Sequence, residues 1–476
     1  MKFRNTYINI KKWLLLLVVV AALQGCKKAV EVPAPSTSLI GSTVFADDKT
    51  AAAVLTGMYA NMHSTNSFTD GNQGIADYMG SAADEFKNYY PGLTATEFYH
   101  NALISSNNYF WPQFFQYIYV ANTALSGVGS SKSLSNGVKQ QLLGEAKFMR
   151  AFMNFYAVNL YGDIPIVTST DYAVNNVISR SPQTKVYEAI IADLLSAQQL
   201  LSADYRDEGN NTTDDRIRPN SVAATALLAR AYLYAGDWKD AEIQATAVIN
   251  NANYGLESDL NQVFLTNSNE AIWQLASANP VYTNTFDGYD FILNSTPGSS
   301  HRVALLPYII SAFENGDQRL VNWIGTYKSG VNTYYYPYKY KNHQSGSANT
   351  ENLMVLRLAE QYLIRAEARA ELGEANATDD LNAIRNRAGL NNYTGATDKA
   401  SLLSAVLHER QVELFTEWGH RWLDLKRTGT LDAVMGGPNG VCAAKGGTWA
   451  STDALLPLPA TEIKINPNLV QNPGYN

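Results

Sequence analysis

The stretch SVAATALLARAYLYAGDWKDAEIQATAVIN, at residues 221–250, decides the fold class of this chain. Its first half is dense in alanine and carries apolar side chains at helical spacing, and Gly236 supplies the stop that commonly follows a helix. Asp237 comes next and predicts the N-cap of a second helix that begins at Trp238. Because small side chains let two helices approach closely, this stretch predicts a packed helical hairpin.

A second hairpin is predicted in LMVLRLAEQYLIRAEARAELGEANATDDLNAIRNRAGL, at residues 353–390. Gly373 breaks it, Thr378 is the expected cap of its second helix with two acids in the following turn, and Gly389 ends it. The first hairpin resembles tetratricopeptide repeats in its order of large residue, alanine, glycine, aromatic residue and alanine. The spacing between the two hairpins is irregular, which predicts scattered repeats rather than a regular solenoid.

Other segments add helices around these hairpins, and each apolar stripe at helical spacing is expected to face the core. The predicted helices cover residues 51–62, 109–126, 138–160, 186–201 and 401–418. Residues 253–346 are instead rich in Gly, Asn, Thr and Tyr, with short strand-like pieces such as 271–275. The sequence therefore predicts an all-α fold of tetratricopeptide-like hairpins, with an irregular loop-rich region and minor β structure. Trp273 and Trp323 stand in apolar contexts and are expected in the core.

The N-terminus has the pattern of an export signal. Basic residues precede the apolar run WLLLLVVVAA at 13–22, which is shorter than the roughly 20 residues that a bilayer span needs. The following Leu-Gln-Gly-Cys ends at Cys26 and resembles the bacterial lipobox, in which the cysteine is acylated. We therefore expect residues 1–25 to be removed, and residues 26–38 to form a tether whose lipid is attached at Cys26. With Cys26 lipidated, Cys442 has no partner for an internal disulfide.

Composition and motifs exclude several classes of function. The net charge of -7 is spread without long basic runs, which argues against nucleic acid as a partner. No phosphate loop, nucleophile elbow or metal-ligand spacing appears, so neither a cofactor nor a metal is expected. After His408 the His-Glu-x-x-His pattern of a helical zinc site is absent because residue 412 is valine. Four residues here are expected to form ion pairs that involve Asp424 and Lys426: Glu409, Arg410, Glu413 and Arg421.

Four blocks, taken in order, resemble the SusD/RagB family of glycan-capturing outer-membrane lipoproteins of Bacteroidetes. They are GEAKFMRAFMNFYAVNLYGDIPIVT (144–168), SVAATALLARAYLYAGDWKDA (221–241), HERQVELFTEWGHRWLDLKR (408–427) and LLPLPATEIKINPNLVQNPGY (455–475). The resemblance implies a helical scaffold with an irregular ligand-bearing part. It also implies non-catalytic binding of oligosaccharide at the outer face of the outer membrane, and delivery to a SusC-like TonB-dependent transporter. Many surface-exposed relatives carry acids after the lipidated cysteine, whereas Lys27 and Lys28 stand there in this chain.

The same resemblance divides the chain that follows the tether into two parts. Residues 39–252 are expected to form an N-terminal SusD-like helical part with tetratricopeptide-like hairpins, and residues 253–476 a C-terminal SusD/RagB part. Within the second part, 253–346 is loop-rich, 353–430 is helical, and 455–475 holds the terminal family motif.

Tyrosine is the outstanding feature of the composition, with 29 residues against 16 phenylalanines. A tyrosine offers a flat apolar face and a hydroxyl, which suits the C–H faces and hydroxyl groups of sugar rings. Two loop groups are the preferred ligand candidates: Asp84, Glu85, Tyr89, Tyr90 and Tyr99 in one, and Tyr282, Phe286 and Tyr289 in the other. Both groups flank helical lobes, so a shared surface is expected. Tyr334 belongs to a third group, TYYYPYKY at 333–340, where Pro337 indicates an edge strand and packing is favoured over binding.

Three functions remain open from the sequence. The first is capture of oligosaccharide, and the second is binding of peptide or another nutrient on the same scaffold. The third is a lipid-anchored glycosidase that would use a carboxylate pair such as Asp84 and Glu85. Because adjacent side chains usually point apart, these acids are interpreted as solvated groups or as acceptors for sugar hydroxyls.

Overall fold

The computed structural model describes residues 41–374 and 376–475, and helices dominate this part of the chain. The signal peptide, Cys26 and the tether lie outside the described residues. The α-helices are α1 (Gly41–Val44), α2 (Asp48–Met62), α3 (Ile75–Ala82), α4 (Leu93–His100), α5 (Trp111–Ser130), α6 (Asn136–Tyr161), α7 (Tyr172–Asn175), α8 (Gln183–Leu200), α9 (Ser221–Ala235), α10 (Trp238–Ile249), α11 (Phe286–Phe291), α12 (Pro307–Ala312), α13 (Gln318–Asn322), α14 (Leu358–Leu372), α15 (Ala377–Arg387), α16 (Lys399–Glu413), α17 (His420–Arg427), α18 (Leu431–Met435), α19 (Val441–Ala444) and α20 (Ala460–Ile465). The all-α prediction is confirmed.

Short strands form three separate two-stranded antiparallel sheets. The strands are β1 (Phe86–Asn88), β2 (Ala271–Leu275), β3 (Val303–Leu305), β4 (Ile324–Ser329), β5 (Asn332–Pro337) and β6 (Leu353–Arg357). β1 pairs with β3, β2 with β6, and β4 with β5. Of the six strands in the described residues, four fall within 253–346, which agrees with the minor β structure predicted there. No helix in the described ranges is long and apolar enough to cross a membrane.

The first predicted hairpin is confirmed as α9 and α10. Gly236 ends α9 with a φ of 78°, a left-handed conformation that favours glycine. The Asp237 carboxylate accepts the N–H of Asp240 and caps α10, as expected. The helices pack in the order α5, α6, α8, α9, α10 and α14, so the hairpin is one layer in a row of packed helices.

The second hairpin begins later than predicted. Residues Leu353–Arg357 form the buried strand β6, not helix, because they pair with β2. A short apolar run does not by itself distinguish a buried strand from a buried helix. Helix α14 therefore begins at Leu358, and it ends at Gly373 as expected, with a φ of 72° at that glycine.

The cap predicted for the second helix of this hairpin is wrong. Helix α15 begins at Ala377, so Thr378 lies inside its first turn and Asn376 is the N-cap. The helix ends before Gly389, which has a φ of 79° and is the expected terminator.

The helix predicted over 401–418 ends early, at Glu413. The buried ammonium group of Lys339 donates hydrogen bonds of 2.8 Å to the carbonyls of both Glu413 and Phe415. Thr416 then takes a φ of 56°, which a continuous helix does not allow. A cation from another segment thus satisfies carbonyls at the end of the helix, and the chain turns away.

Helix α6 forms the centre of the hydrophobic core. Phe148, Phe152 and Phe155 are fully buried along it, which confirms the predicted stripe. The ring of Trp273 from β2 stands edge-on to Phe148 and Phe152, with centroids 5.0 and 5.3 Å away. Such aromatic pairs each add about 0.5 to 1.5 kcal/mol beyond simple burial. Trp323 is also fully buried, so the core prediction holds for both tryptophans.

The carboxylate of Glu413 joins distant segments inside the C-terminal part. It lies within 3 Å of three guanidiniums, those of Arg319, Arg357 and Arg387. Burial opposes ionisation of Glu413, but the three cations hold its pKa well below the ordinary value. Buried charges are tolerated when they are paired in this way.

The predicted ion pairs of this segment are confirmed in part. Arg410 donates to Asp424 at 2.7 Å, as expected. Arg421 pairs with Asp84, however, and Lys426 donates to the carbonyl of Asn159 instead of an acid. These partners lie far away in sequence, so helical spacing within the block does not reveal them.

Candidate functional site

Tyr89 and Tyr90 directly follow β1 and are held by the backbone around them. The N–H of Tyr89 donates to the carbonyl of Arg302 at 2.7 Å, beside the β1–β3 pairing. The Asn88 amide both donates to the carbonyl of Tyr90 at 2.8 Å and accepts its N–H at 2.9 Å. Both rings are half-buried, so each keeps part of its surface in solvent. The two tyrosines therefore project from a short sheet and a closed turn.

Tyr334 of β5 contacts Tyr89, which brings the first and third tyrosine groups together. Their rings meet edge to face, with centroids 5.8 Å apart and an interplanar angle of 76°. Burial, followed by the neighbouring Tyr334 hydroxyl, raises the pKa of Tyr89. Tyr334 is itself half-buried, so its contact with Tyr89 leaves aromatic surface accessible on both rings. The first group therefore contacts the third group directly, whereas the sequence analysis expected it to share a surface with the second group.

Arg302 is a functional candidate that the sequence did not indicate. Its guanidinium carbon lies 4.2 Å from the centroid of the Tyr90 ring, within the range of a cation–π contact. A Cβ at Gly92 would come within 2.1 Å of the Tyr90 ring, so the chain passes closer to this ring than any larger residue allows. Tyr90 thus packs against both a cation and a glycine.

The second group forms its own aromatic cluster at α11. The ring of Tyr282 lies 4.4 Å from Tyr289 and 5.6 Å from Phe286, measured between centroids. Tyr282 and Tyr289 are partly exposed, but Phe286 is buried and packs edge-on against His63 at 5.1 Å. Phe286 is therefore a buried support for Tyr282 and Tyr289, and it offers almost no exposed surface to a ligand.

A chain of polar contacts links the first group to the second. Arg302, which covers Tyr90, donates to the carbonyl of Asn72 at 2.9 Å. The Asn72 amide donates to the carboxylate of Asp290 at 2.5 Å, and Asp290 lies next to Tyr289 on α11. The two groups are therefore joined through Arg302 and Asn72, while a single surface shared by both stays a prediction.

Carboxyl groups are buried beneath this link. Burial raises the pKa of Asp290 to about 8, and the neighbouring carboxyl of Asp70 adds to the effect. Burial likewise raises the pKa of Asp287 to about 8, and that of Asp77 well above its ordinary value. In the described ranges, no three His, Cys, Asp or Glu side chains are grouped so that they could hold a metal ion.

Asp84 and Glu85 have structural partners in place of the solvent exposure expected for them. Both are buried, because the chain turns into the core after α3. Asp84 accepts two hydrogen bonds from Arg421, and Glu85 accepts the N–H of Thr416 at 3.0 Å. Burial raises the pKa of Glu85 to about 7, against the effect of the Thr416 hydrogen bond. We therefore no longer assign either carboxylate to a ligand surface or to a hydrolytic pair.

Comparisons with known families match both ends of the described chain. A model of the SusD family matches residues 308–475. A second model, described as starch-binding associating with outer membrane, matches residues 40–233.

Similar curated proteins span most of this chain. SusD-like protein P2 of Formosa agariphila is 30% identical over 429 residues, which cover 79% of this chain and 81% of that protein. A SusD-like protein of Bacteroides ovatus is 22% identical and covers 88% of this chain and 82% of its own length.

Solved structures share the fold. A SusD superfamily protein from Bacteroides vulgatus aligns with a TM-score of 0.77 at 22% identity, over 91% of this chain and all of that one. A laminarin-binding SusD-like protein aligns with a TM-score of 0.74 at 23% identity, over 89% of this chain and 99% of that one.

Proposed function

Because this chain belongs to the SusD family, we propose that it binds oligosaccharide without cleaving it and passes the ligand to a SusC-like TonB-dependent transporter. In this proposal, lipid on Cys26 anchors the protein to the outer membrane and the binding surface faces outward. The family descriptions that name starch binding and the outer membrane support both the ligand class and the location.

The observation that carries the proposal is the aromatic surface formed by Tyr89, Tyr90 and Tyr334. Sugar rings have apolar C–H faces bordered by hydroxyls, and a tyrosine can pack on the face while its hydroxyl hydrogen-bonds at the edge. Because Arg302 and the Asn88 amide hold Tyr90 in place, little conformational entropy of this residue is lost when a ligand binds. Preorganised, half-exposed aromatic rings are what a carbohydrate surface requires.

The two proposed parts of the chain contribute jointly to this surface. Tyr89 and Tyr90 come from residues 39–252, whereas Tyr334 comes from residues 253–476. The edge-to-face contact between Tyr89 and Tyr334 crosses that division. We infer that the ligand lies across both parts.

The buried state of Asp84 and Glu85 supports binding without hydrolysis. A retaining or inverting glycosidase needs two carboxyl groups, about 5 to 10 Å apart, on either side of the scissile bond. Arg421 and the Thr416 N–H already occupy these two side chains. Asp84 and Glu85, the carboxylate pair considered for hydrolysis, therefore form structural contacts inside the protein.

Affinity electrophoresis tests the proposal directly. Purified protein that lacks the signal peptide is run through gels that contain soluble starch or laminarin, and through a gel without glycan. We expect retardation by at least one glycan, and no shortened oligosaccharides after prolonged incubation with it. Sustained release of shorter products would favour the glycosidase. Binding to a peptide library without retardation by any member of a broad glycan panel would favour the peptide alternative.

A further inference from the structure

A cavity of about 220 Å³ lies beside α2. Its wall includes the apolar surfaces of Tyr59, Ala60, Ile217 and Ala276. Ser277 also lines it, and the Ser277 hydroxyl donates to the carbonyl of Tyr282. This hydrogen bond connects the cavity wall to Tyr282, which belongs to the aromatic cluster at α11.

An arginine in the cavity wall has more N–H groups than its neighbours accept. Arg218 lines it and is only 5% exposed. Its Nε and Nη2 donate to Glu145 at 3.3 and 2.6 Å, and its Nη1 donates to the carbonyl of Asp207. A guanidinium carries five N–H groups. Within the part of the chain that the structure describes, one N–H on each Nη therefore has no acceptor.

Acidic groups predominate around the opening. The carboxylates of Asp207, Glu208 and Asp215 line the cavity, and Glu145 already balances the charge of Arg218. The remaining cation, Arg206, donates to groups of its own loop, including the carbonyl of Asn210. Like charges near a site select against a ligand of that charge. An anionic ligand is therefore disfavoured here.

We propose that this cavity binds one neutral sugar unit of the captured oligosaccharide, as a subsite separate from the tyrosine surface. The inference rests on the proposed function. Pockets for drug-sized ligands typically have about 300 to 1,000 Å³, so this smaller volume suits a single ring. The apolar wall contacts the C–H face of the ring. Hydroxyls accept from the free N–H groups of Arg218 and donate to the carboxylates at the opening.

Two substitutions fill the cavity and one provides a matched control. Ala60→Phe places a large side chain inside from α2, and Ala278→Trp closes the cavity from an exposed position on its lip. The control is Ala53→Phe, which lies two helical turns before Ala60 on an exposed part of α2 and does not line the cavity. Neither Arg218 nor Tyr59 is changed, because both bind the buried Glu145.

Saturation-transfer NMR measures binding of the methyl glycosides of glucose, galactose, mannose, xylose and fucose, with methyl glucuronide as the anionic probe. All three substitutions are made in a Tyr89→Ala, Tyr334→Ala background, so that the tyrosine surface contributes little to the signal. In that background we expect transfer to at least one neutral glycoside both without a further change and with Ala53→Phe, and loss of that transfer with Ala60→Phe or Ala278→Trp. The glucuronide should give the weaker signal. Melting temperatures show whether each variant is folded.

The subsite is refuted if no neutral glycoside receives saturation from the Tyr89→Ala, Tyr334→Ala background, if the glucuronide is preferred, or if a folded cavity-filling variant keeps the signal. Affinity electrophoresis on starch and laminarin reports separately on the proposed function. Retardation of the wild type, together with unchanged glycoside binding in Ala60→Phe, overturns the subsite and leaves glycan capture standing. Absence of retardation across the glycan panel overturns both.

Discussion

The guanidinium of Arg421 holds the carboxylate of Asp84 through two hydrogen bonds of 2.8 and 2.7 Å, although the residues are 337 positions apart. This pair joins the segment that leads to Tyr89 to the family block at 408–427. Because both side chains are largely buried, the pair forms part of the scaffold.

Replacement of Asp84 tests this structural role. Asp84→Ala leaves the Arg421 charge buried without its partner, and we expect the free energy of unfolding to fall by about 3 to 5 kcal/mol. Urea unfolding followed by circular dichroism measures the loss. Asp214→Ala, in an exposed loop, is the matched control and should change stability by no more than about 0.5 kcal/mol. A change in Asp84→Ala as small as in the control would contradict a buried, paired carboxylate.

The tyrosine surface predicts a different pattern. Each aromatic contact contributes about 0.5 to 1.5 kcal/mol, so Tyr89→Ala and Tyr334→Ala should each weaken glycan binding several-fold. Because the two rings touch, the double variant should lose less than the sum of the single losses. Calorimetric titration with the glycan that retards the protein in gels measures the affinities. Tyr172→Ala, at a tyrosine that is 77% exposed, should leave affinity unchanged.

Replacement of Tyr289 tests the second aromatic group. We expect Tyr289→Ala to weaken glycan binding while the melting temperature stays nearly constant, because this ring is partly exposed. Differential scanning calorimetry and titration are run on the same preparation. A clear loss of thermal stability with unchanged affinity would instead assign Tyr289 to packing alone.

The carboxyl of Asp290 predicts a pH dependence of stability. Burial raises its pKa to about 8, so the folded protein binds this proton more tightly than the unfolded chain, whose aspartates titrate near 3.9. The contribution of the protonated group is complete below about pH 4 and is lost as the pH rises to about 8, at up to about 1.4 kcal/mol per pH unit.

Asp290→Asn isolates this effect from other titrating groups. The amide keeps an acceptor for Asn72 but does not ionise. The unfolding free energy of the wild type, relative to that of Asp290→Asn, should therefore decrease from about pH 5 to about pH 8. Urea unfolding at several pH values measures the difference, with Asp214→Asn as the control. A difference that stays constant with pH would show that Asp290 is already ionised in the folded protein.

The lipid anchor and the transporter are tested in membranes. Cys26→Ser should move the protein from the detergent phase to the aqueous phase, or leave it unprocessed, because the acylated thiol is lost. Unchanged partitioning would rule out this anchor.

Gently solubilised membranes should yield the wild type together with a large β-barrel protein. Repeated recovery alone, under conditions that preserve other membrane complexes, would count against the transporter.

Local signals were sufficient to predict the first helical hairpin. Gly236 and Asp237 act through their own backbone and a neighbouring N–H, so three or four residues carry the information. The strand Leu353–Arg357 could not be predicted in this way, since its identity depends on pairing with Ala271–Leu275. The helix that ends at Glu413 depends in the same manner on a lysine 74 residues away.

The candidate site was predictable only in its residue types. Tyr89 and Tyr90 follow from the abundance of tyrosine outside helices, but the contact of Tyr89 with Tyr334 joins segments that only the tertiary fold brings together. Arg302 has no sequence signal, because its role comes from its position over one ring. The burial of Asp84 and Glu85 could not be predicted either, because their partners, Arg421 and Thr416, lie far away in the sequence.

The cluster of arginines around Glu413 has an evolutionary consequence. It fixes Arg319, Arg357 and Arg387 to one helix from inside the protein, and within the described residues no ion pair of Glu413 involves Tyr89, Tyr289 or Tyr334. Substitutions of these tyrosines are therefore expected to leave the ionic centre around Glu413 in place. A duplicated gene can therefore change the ligand that its product binds by substitutions at these tyrosines, while the ionic centre around Glu413 is inherited unchanged.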